Sequence, residues 1–181
     1  MEKITFKGKI IEVVQKEVTQ NGKIQNFELA RRSPGVRLII SHDNKILLTK
    51  EFRHETNNYD YRLPGGKVYD SLDVYNKAIE SNIDITEAAK KAAVKEAREE
   101  AGVEVKDISF AYRSICGATI IWDLFYFVVT DFVQKEQQLE EGEDIQIELV
   151  DKEKAKEMCL NGMIREDRSA LVLLRYLNNK L

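Results

Sequence analysis

The chain has 181 residues, of which 43% are hydrophobic and 33% charged, with nine Gly and two Pro. That length fits one domain that buries a core without staples, and the composition excludes a disordered chain. A formal net charge of −3 leaves no basic footprint for nucleic acid, and no apolar run approaches the ~18 residues of a membrane span.

Cys116 and Cys159 are far apart and form no CxxC pair, so they read as reduced thiols, with no disulfide framework or zinc site. The first ten residues, MEKITFKGKI, lack the apolar stretch of a secretion signal. Together these give an expected cytoplasmic localisation. His42 and His54 are too few and too scattered for a His-based metal centre.

In chain order, Ile4, Phe6, Ile10, Ile11, Val13 and Val14 form one strand-like run toward a polar tip at Asn21-Gly22, and Ile24 to Leu29 forms the return. Asn-Gly between two such runs signals a hairpin, because a type I′ turn needs φ > 0 at both central residues. Ser33-Pro34-Gly35 breaks the pattern. Val36 to Ile40 and Ile46 to Thr49, joined through Ser41 to Asn44, predict a second and more central hairpin. Tyr59 to Leu63 predicts a short strand running into Pro64-Gly65-Gly66, where two glycines permit close approach of backbone to a ligand. Residues 70–82 predict a short amphipathic helix capped by Asp70 or Ser71, with Leu72, Tyr75 and Ile79 on its apolar face.

The stretch Thr86 to Val103 reads as one helix, opened by a capping box at Asp84 and Glu87 and closed by Gly102. Ala89, Ala93, Val94, Ala97 and Ala101 make its apolar arc. Glu96, Glu99 and Glu100 fall within roughly a 100° arc at about 100° per residue. Three carboxylates on one face suit a hard divalent cation; on spacing alone, a solvated acidic face competes with that reading. Strands follow at Ile108 to Arg113 and Ile120 to Thr130, the second rich in β-branched and aromatic residues and so central. An acidic loop covers 134–144, a strand Ile145 to Val150, a helix from the Asp151 cap to about Leu160, and a last helix about Glu166 to Leu177 with apolar Leu171, Leu173, Leu174 and Leu177. Cys116 reads as a small buried hydrophobe. Grouped strands with few helical interruptions predict an α+β fold, or a layered α/β/α sandwich of mixed sheets.

The run Glu87, seven residues, then Lys95-Glu96-Ala97-Arg98-Glu99-Glu100-Ala101-Gly102-Val103 resembles the signature of the Nudix hydrolases, with Lys95 where the family has Arg. The family's upstream glycine would fall at Ser81; Leu63-Pro64-Gly65-Gly66 resembles its strand end, which aligns Gly66 with it and leaves about 15 extra residues at 67–81. The resemblance implies a Nudix-like sandwich and Mg²⁺ or Mn²⁺ held by Glu96 and Glu100, with Glu99 and the Gly65 carbonyl assisting. Gly66, Glu87, Lys95 and Gly102 are implied to support the motif. Lys95 keeps the charge of Arg but loses its planar fork.

More of the chain resembles the ADP-ribose and nucleotide-sugar pyrophosphatase branch: the Asn-Gly turn, Phe52-Arg53, the Leu139 to Ile145 acidic loop and Gly162-Met-Ile164 before the last helix. That branch implies a general base from the acidic loop, Glu143 first and Glu141 second, against a merely solvated loop. It departs from the branch in reading Arg62-Leu-Pro-Gly-Gly for Glu-Leu-Pro-Ala-Gly, and in lacking a proline past the signature. Arg53, Arg62 and Arg113 are candidate phosphate ligands or structural ion pairs. Trp122, Tyr61 and Phe52 are candidate base-stacking residues or core. The 67–81 insertion is a lid, a dimer contact or a tolerated surface insertion.

The implied organisation is an N-terminal β-hairpin region at 1–34, which pairs two subunits in a homodimer, and a hydrolase domain at 35–181. The implied activity cleaves the pyrophosphate bond of a nucleoside diphosphate linked to another group, ADP-ribose or a nucleotide sugar, giving a nucleoside monophosphate and a sugar phosphate. A (d)NTP pyrophosphatase and a non-catalytic nucleotide-binding protein are the alternatives.

Overall fold

The computed structural model describes residues 2–54 and 56–181. Two sheets carry it. The first runs β1 (Glu2–Lys7), β2 (Ile11–Gln20), β3 (Lys23–Arg32) and β8 (Ile120–Ile121) in that order. The second runs β10 (Ile145–Asp151), β5 (Lys45–Arg53), β4 (Gly35–His42), β9 (Leu124–Gln134) and β7 (Val103–Ser114), with β6 (Asn58–Arg62) paired to β5. β4 and β9 are parallel, whereas β7 and β9 are antiparallel, so the sheet is mixed as expected. Asn21 and Gly22 turn β2 into β3 with φ of 53° and 74°. Asp43 and Asn44 turn β4 into β5 with φ of 47° and 63°. Both are the left-handed pairs that a tight hairpin demands.

β5 leaves β4 after only three pairs, Ile40↔Leu47 to His42↔Lys45, and its far half takes β6 as partner instead. The chain after β6 then runs back along β4. This split places the Pro-Gly-Gly segment in the middle of the sheet.

α2 (Ile85–Glu99) covers one face of the sheet. Ala89, Ala93, Ala97 and Ala101 are fully buried against Val36, Leu38, Ile40, Phe125, Phe127 and Val129. α3 (Lys152–Leu160), α4 (Asp167–Leu177) and the connection between them cover the other through Met158, Ile164, Val172 and Leu173 packed on Ile39, Ile46, Leu48 and Tyr126. The layers are α/β/α. α4 is bolted to β4 by buried Arg37, whose Nε and Nη2 donate to Glu166 at 2.9 and 3.0 Å.

Residues 67–81 place α1 (Leu72–Glu80) against the first sheet. Ser71 caps it by accepting from the Val74 N–H at 3.3 Å. Asn76 donates to both oxygens of fully buried Glu12, which also takes Arg31 at 2.7 Å. Lys7 pairs with Asp73. The insertion is therefore a strut between the N-terminal sheet and the rest of the fold.

The structure corrects several expectations. The Ile4 to Val14 run is two strands, folded back at Gly8 to Ile10, where Gly8 N–H donates to Ile11 O. The Ile120 to Thr130 run breaks at Trp122–Asp123, and its first two residues join the other sheet. The main helix stops at Glu99 with Glu100 as C-cap, and Val103 already begins β7. Alanines bring α2 so close to the sheet that only a narrow stripe is covered, and Val94 is exposed. Ala78 is buried in place of Ile79, and Leu171 is exposed while Val172 is buried. Cys116 is half-buried in a loop, whereas Cys159 is buried; both are free thiols. Among the described residues no helix is long and apolar enough to cross a membrane.

Candidate active site

The Pro-Gly-Gly segment is held on β4 by two bonds: Leu38 N–H donates to Pro64 O at 2.8 Å and Val36 N–H to Gly66 O at 3.0 Å. Its two glycines are required for different reasons. Gly65 has φ +149°, and a Cβ there would meet Val36 O at 2.1 Å. At Gly66 a Cβ would lie 2.0 Å from Glu96 Oε1. Gly65 N–H donates to Glu100 Oε2 at 2.7 Å, and its carbonyl receives no hydrogen bond among the described residues.

α2 brings the carboxylates to this loop. Asp84 caps the helix by accepting from Thr86 N–H at 2.8 Å, and the alanine stripe seats its C-terminal half against β4. Glu96 and Glu100 then lie at the border of core and solvent. Burial pushes Glu96 up to about 7, and the neighbouring Glu99 charge adds to it. Burial pushes Glu100 up to about 8; the Gly65 N–H opposes this and the Glu96 charge reinforces it. Lys95 Nζ meets Glu99 Oε2 at 3.2 Å, a single contact of the kind expected from an ammonium. Glu87 is exposed and forms no ion pair among the described residues.

The acidic loop is docked by the helix end it faces. The last carbonyls of a helix lack intrahelical donors. Here Gln138 N–H reaches Glu99 O at 3.0 Å, Gln137 Nε2 reaches Glu100 O at 2.6 Å, and Gln134 Nε2 and Lys135 N–H reach Gly102 O at 3.0 and 2.7 Å. Gly102 makes room with φ +58°; a Cβ there would stand 2.6 Å from Lys135 O. The loop thereby sets Glu140 and Glu143 across a cleft of about 490 Å³ from Glu96, Glu99 and Glu100. Glu140 N–H donates to Glu143 Oε2 at 2.9 Å. Glu141 is exposed and does not line the cleft; Glu140 stands where the second acidic candidate was expected. Gln134, Gln137 and Glu140 escaped the sequence reading, although the run Gln134 to Gln138 holds three glutamines beside a helix end.

None of the three candidate arginines lines the cleft. Arg53 pairs with Glu51 at 2.6 Å and Arg62 with buried Asp60 at 2.5 Å, side by side on β5 and β6. Burial raises the Glu51 carboxyl, Arg53 and Arg62 oppose that, and the Glu143 charge adds to it; none of Glu51, Arg53, Asp60 and Arg62 on β5 and β6 lines the cleft. Arg113 is fixed to Asp123 at 2.5 and 2.7 Å on β7 and does not line the cleft. Nor do the candidate stacking residues. Trp122 packs under Arg32 and Arg168 at 4.2 and 4.4 Å, Tyr61 donates to Glu148 at 3.3 Å, and Phe52 packs edge-on against His54 and Tyr59.

Two half-buried carboxyls whose pKa values burial lifts to about 7 and about 8, with Lys95 beside Glu96 and Arg37 beside Glu100, fit a hard divalent cation chemically. Among the described residues no three His, Cys, Asp or Glu side chains converge at ligating geometry; Glu100 is turned to the Gly65 N–H and Glu99 to Lys95.

Residues 31–171 match the family model for the NUDIX domain. No curated protein matches the chain by sequence. A crystal structure of an ADP compounds hydrolase superposes with a TM-score of 0.72 over 99% of this chain and 90% of that one, at 17% identity, which speaks to the fold. The chain belongs to the Nudix family and is a Nudix-type pyrophosphatase, a hydrolase of the pyrophosphate bond in nucleoside diphosphate derivatives.

Proposed function

We propose that the protein is a divalent-metal-dependent hydrolase of ADP-ribose or a nucleotide sugar, releasing a nucleoside monophosphate and a sugar phosphate. The observation that carries this reading is the cleft in which Glu96, Glu99 and Glu100 stand opposite Glu143 beside the Gly65–Gly66 loop. The structural likeness to an ADP compounds hydrolase adds to the choice of substrate.

In this reading Glu96 and Glu100, with Glu99 and the Gly65 carbonyl, hold Mg²⁺ or Mn²⁺. The bound cation supplies positive charge that offsets the diphosphate and makes water a stronger acid. Glu143 takes the proton of the water that attacks phosphorus, and the Glu140 N–H on its Oε2 orients the carboxylate. Lys95 steadies Glu99. Arg53 and Arg62, on the neighbouring strands β5 and β6, offer guanidinium groups to substrate phosphate oxygens; Arg113 has no part. Gly66 and Gly102 keep the loop and the helix end in place. The N-terminal sheet joins two copies in a homodimer, and the two free thiols suit the reducing cytoplasm.

AMP release from ADP-ribose in Mg²⁺ tests this. Glu100→Gln is expected to lower kcat/KM by at least about 100-fold. Absence of turnover across a panel of nucleoside diphosphate derivatives overturns the reading.

A further inference from the structure

The 67–81 insertion closes a second recess, of about 170 Å³, next to the cleft. The fold-back between β1 and β2 supplies Lys9, the end of β3 supplies Arg32, and the insertion supplies Lys67 and Asp70. Three cations thus stand against one acid. Lys67 and Asp70 line the larger cleft as well, so the two spaces share a wall.

The charge around Arg32 is unbalanced. Its guanidinium carbon lies 4.2 Å from the centre of the Trp122 ring, and Arg168 lies 4.4 Å from the same centre. Among the described residues Arg32 forms no ion pair, and Arg168 Nη2 is buried without a hydrogen-bond partner. Glu166 is the nearby acid, and Arg37 already occupies both of its oxygens. Burial, then repulsion from Arg37 and Arg168, pushes the Arg32 guanidinium down. A half-buried cation crowded by like charges is relieved by an anion, and guanidinium and ammonium groups together suit phosphate oxygens.

We propose that this recess is a binding site for a phosphate-class anion, held by Lys9, Arg32 and Lys67. Its shared wall with the cleft makes that anion a further phosphomonoester on the substrate, a step that rests on the reading of the cleft given above. The preferred substrates are then nucleoside diphosphate derivatives carrying an additional phosphate beyond the scissile pyrophosphate.

Titration of the metal-free full chain with inorganic phosphate, followed by calorimetry, tests the site without any turnover. The wild type is expected to bind. Lys9→Ala and Arg32→Ala are each expected to weaken binding by at least about fivefold, and Glu100→Gln not to weaken it. Lys9 is exposed in a turn, so its variant answers even if Arg32→Ala fails to fold. No phosphate binding, or wild-type binding in Lys9→Ala, overturns the site. A substrate pair that differs only by one phosphomonoester tests the second step: Lys9→Ala is expected to reduce the wild-type kcat/KM preference for the phosphorylated member by about fivefold. Phosphate binding without any such preference overturns that step and assigns the recess to free phosphate.

Discussion

Glu100 is a carboxyl held back from ionising by its own fold. Its value of about 8, and that of about 7 at Glu96, lie above the ordinary 4.5. Below about pH 4.5 both groups are protonated whether the chain is folded or not, and they cost nothing. As pH rises the unfolded chain ionises first, so the metal-free fold loses stability until the folded groups have ionised too, near pH 8. The melting temperature of the metal-free protein is therefore expected to fall between about pH 5 and 8. Glu100→Gln should flatten that slope, and added Mg²⁺ should raise the melting temperature most at the alkaline end. A flat profile without metal would show that neither carboxyl is strained. The glycines beside these residues separate fold from function. Gly66→Ala meets only the movable end of Glu96, so stability should change by about 1 kcal/mol or less while activity drops at least about tenfold. Gly65→Ala meets the Val36 backbone at φ +149°. It should cost about 2 kcal/mol and lower the melting temperature by roughly 4–8 °C.

α2 and the acidic loop after β9 act as one unit. The helix end presents carbonyls that have no donors of their own, and the loop's backbone and glutamines supply them. Gln137 bridges Glu100 O to Ile145 O at 2.6 and 3.1 Å, so it fixes both ends of the segment that carries Glu140 and Glu143. Gln137→Ala is expected to cost about 1 kcal/mol and to lower kcat, while the apparent Mg²⁺ affinity, proposed above to depend on Glu96 and Glu100, changes little. Equal losses in both would place Gln137 in metal binding instead. At this scale the periodicity in the sequence announced α2 and Gly102 announced its closure, but neither marked the residue at which it stops. Glu100 and Ala101 continue the helical pattern, and only the docked loop and the left-handed Gly102 explain the end. Likewise nothing local marks Trp122–Asp123 as a break. The residues on both sides favour strand; the switch of sheets is decided by the partners, β3 for Ile120 and Ile121 and β4 for Leu124 onward.

Across the whole molecule the N-terminal sheet is tied to the insertion and to β8, and it leaves several large apolar side chains exposed. Glu12, Arg31 and Asn76 lock it to the insertion. Phe6 and Ile24 are 59% and 71% exposed, with Ile4, Ile10 and Phe27 also open to solvent. These exposed apolar residues support the homodimer proposed above: size-exclusion chromatography is expected to give twice the 20.9 kDa of the chain, reverting toward the monomer in Phe6→Asp. Elution of the wild type as a monomer would remove the homodimer from the proposed function. Much of this protein was legible from short-range pattern: the i, i+3, i+4 carboxylates, the Asn21-Gly22 and Asp43-Asn44 turns, the glycine pair and the layered α+β class. Each depends on residues a few positions apart, whose geometry the backbone sets by itself. Tertiary structure alone decided which acids reach the cleft, that Arg113 is turned away, and that 67–81 is a strut. The first and the last of these rest on pairs such as Glu100–Gln137 and Glu12–Asn76, separated by 37 and 64 residues. Once such groups are buried together, their desolvation outweighs any local preference.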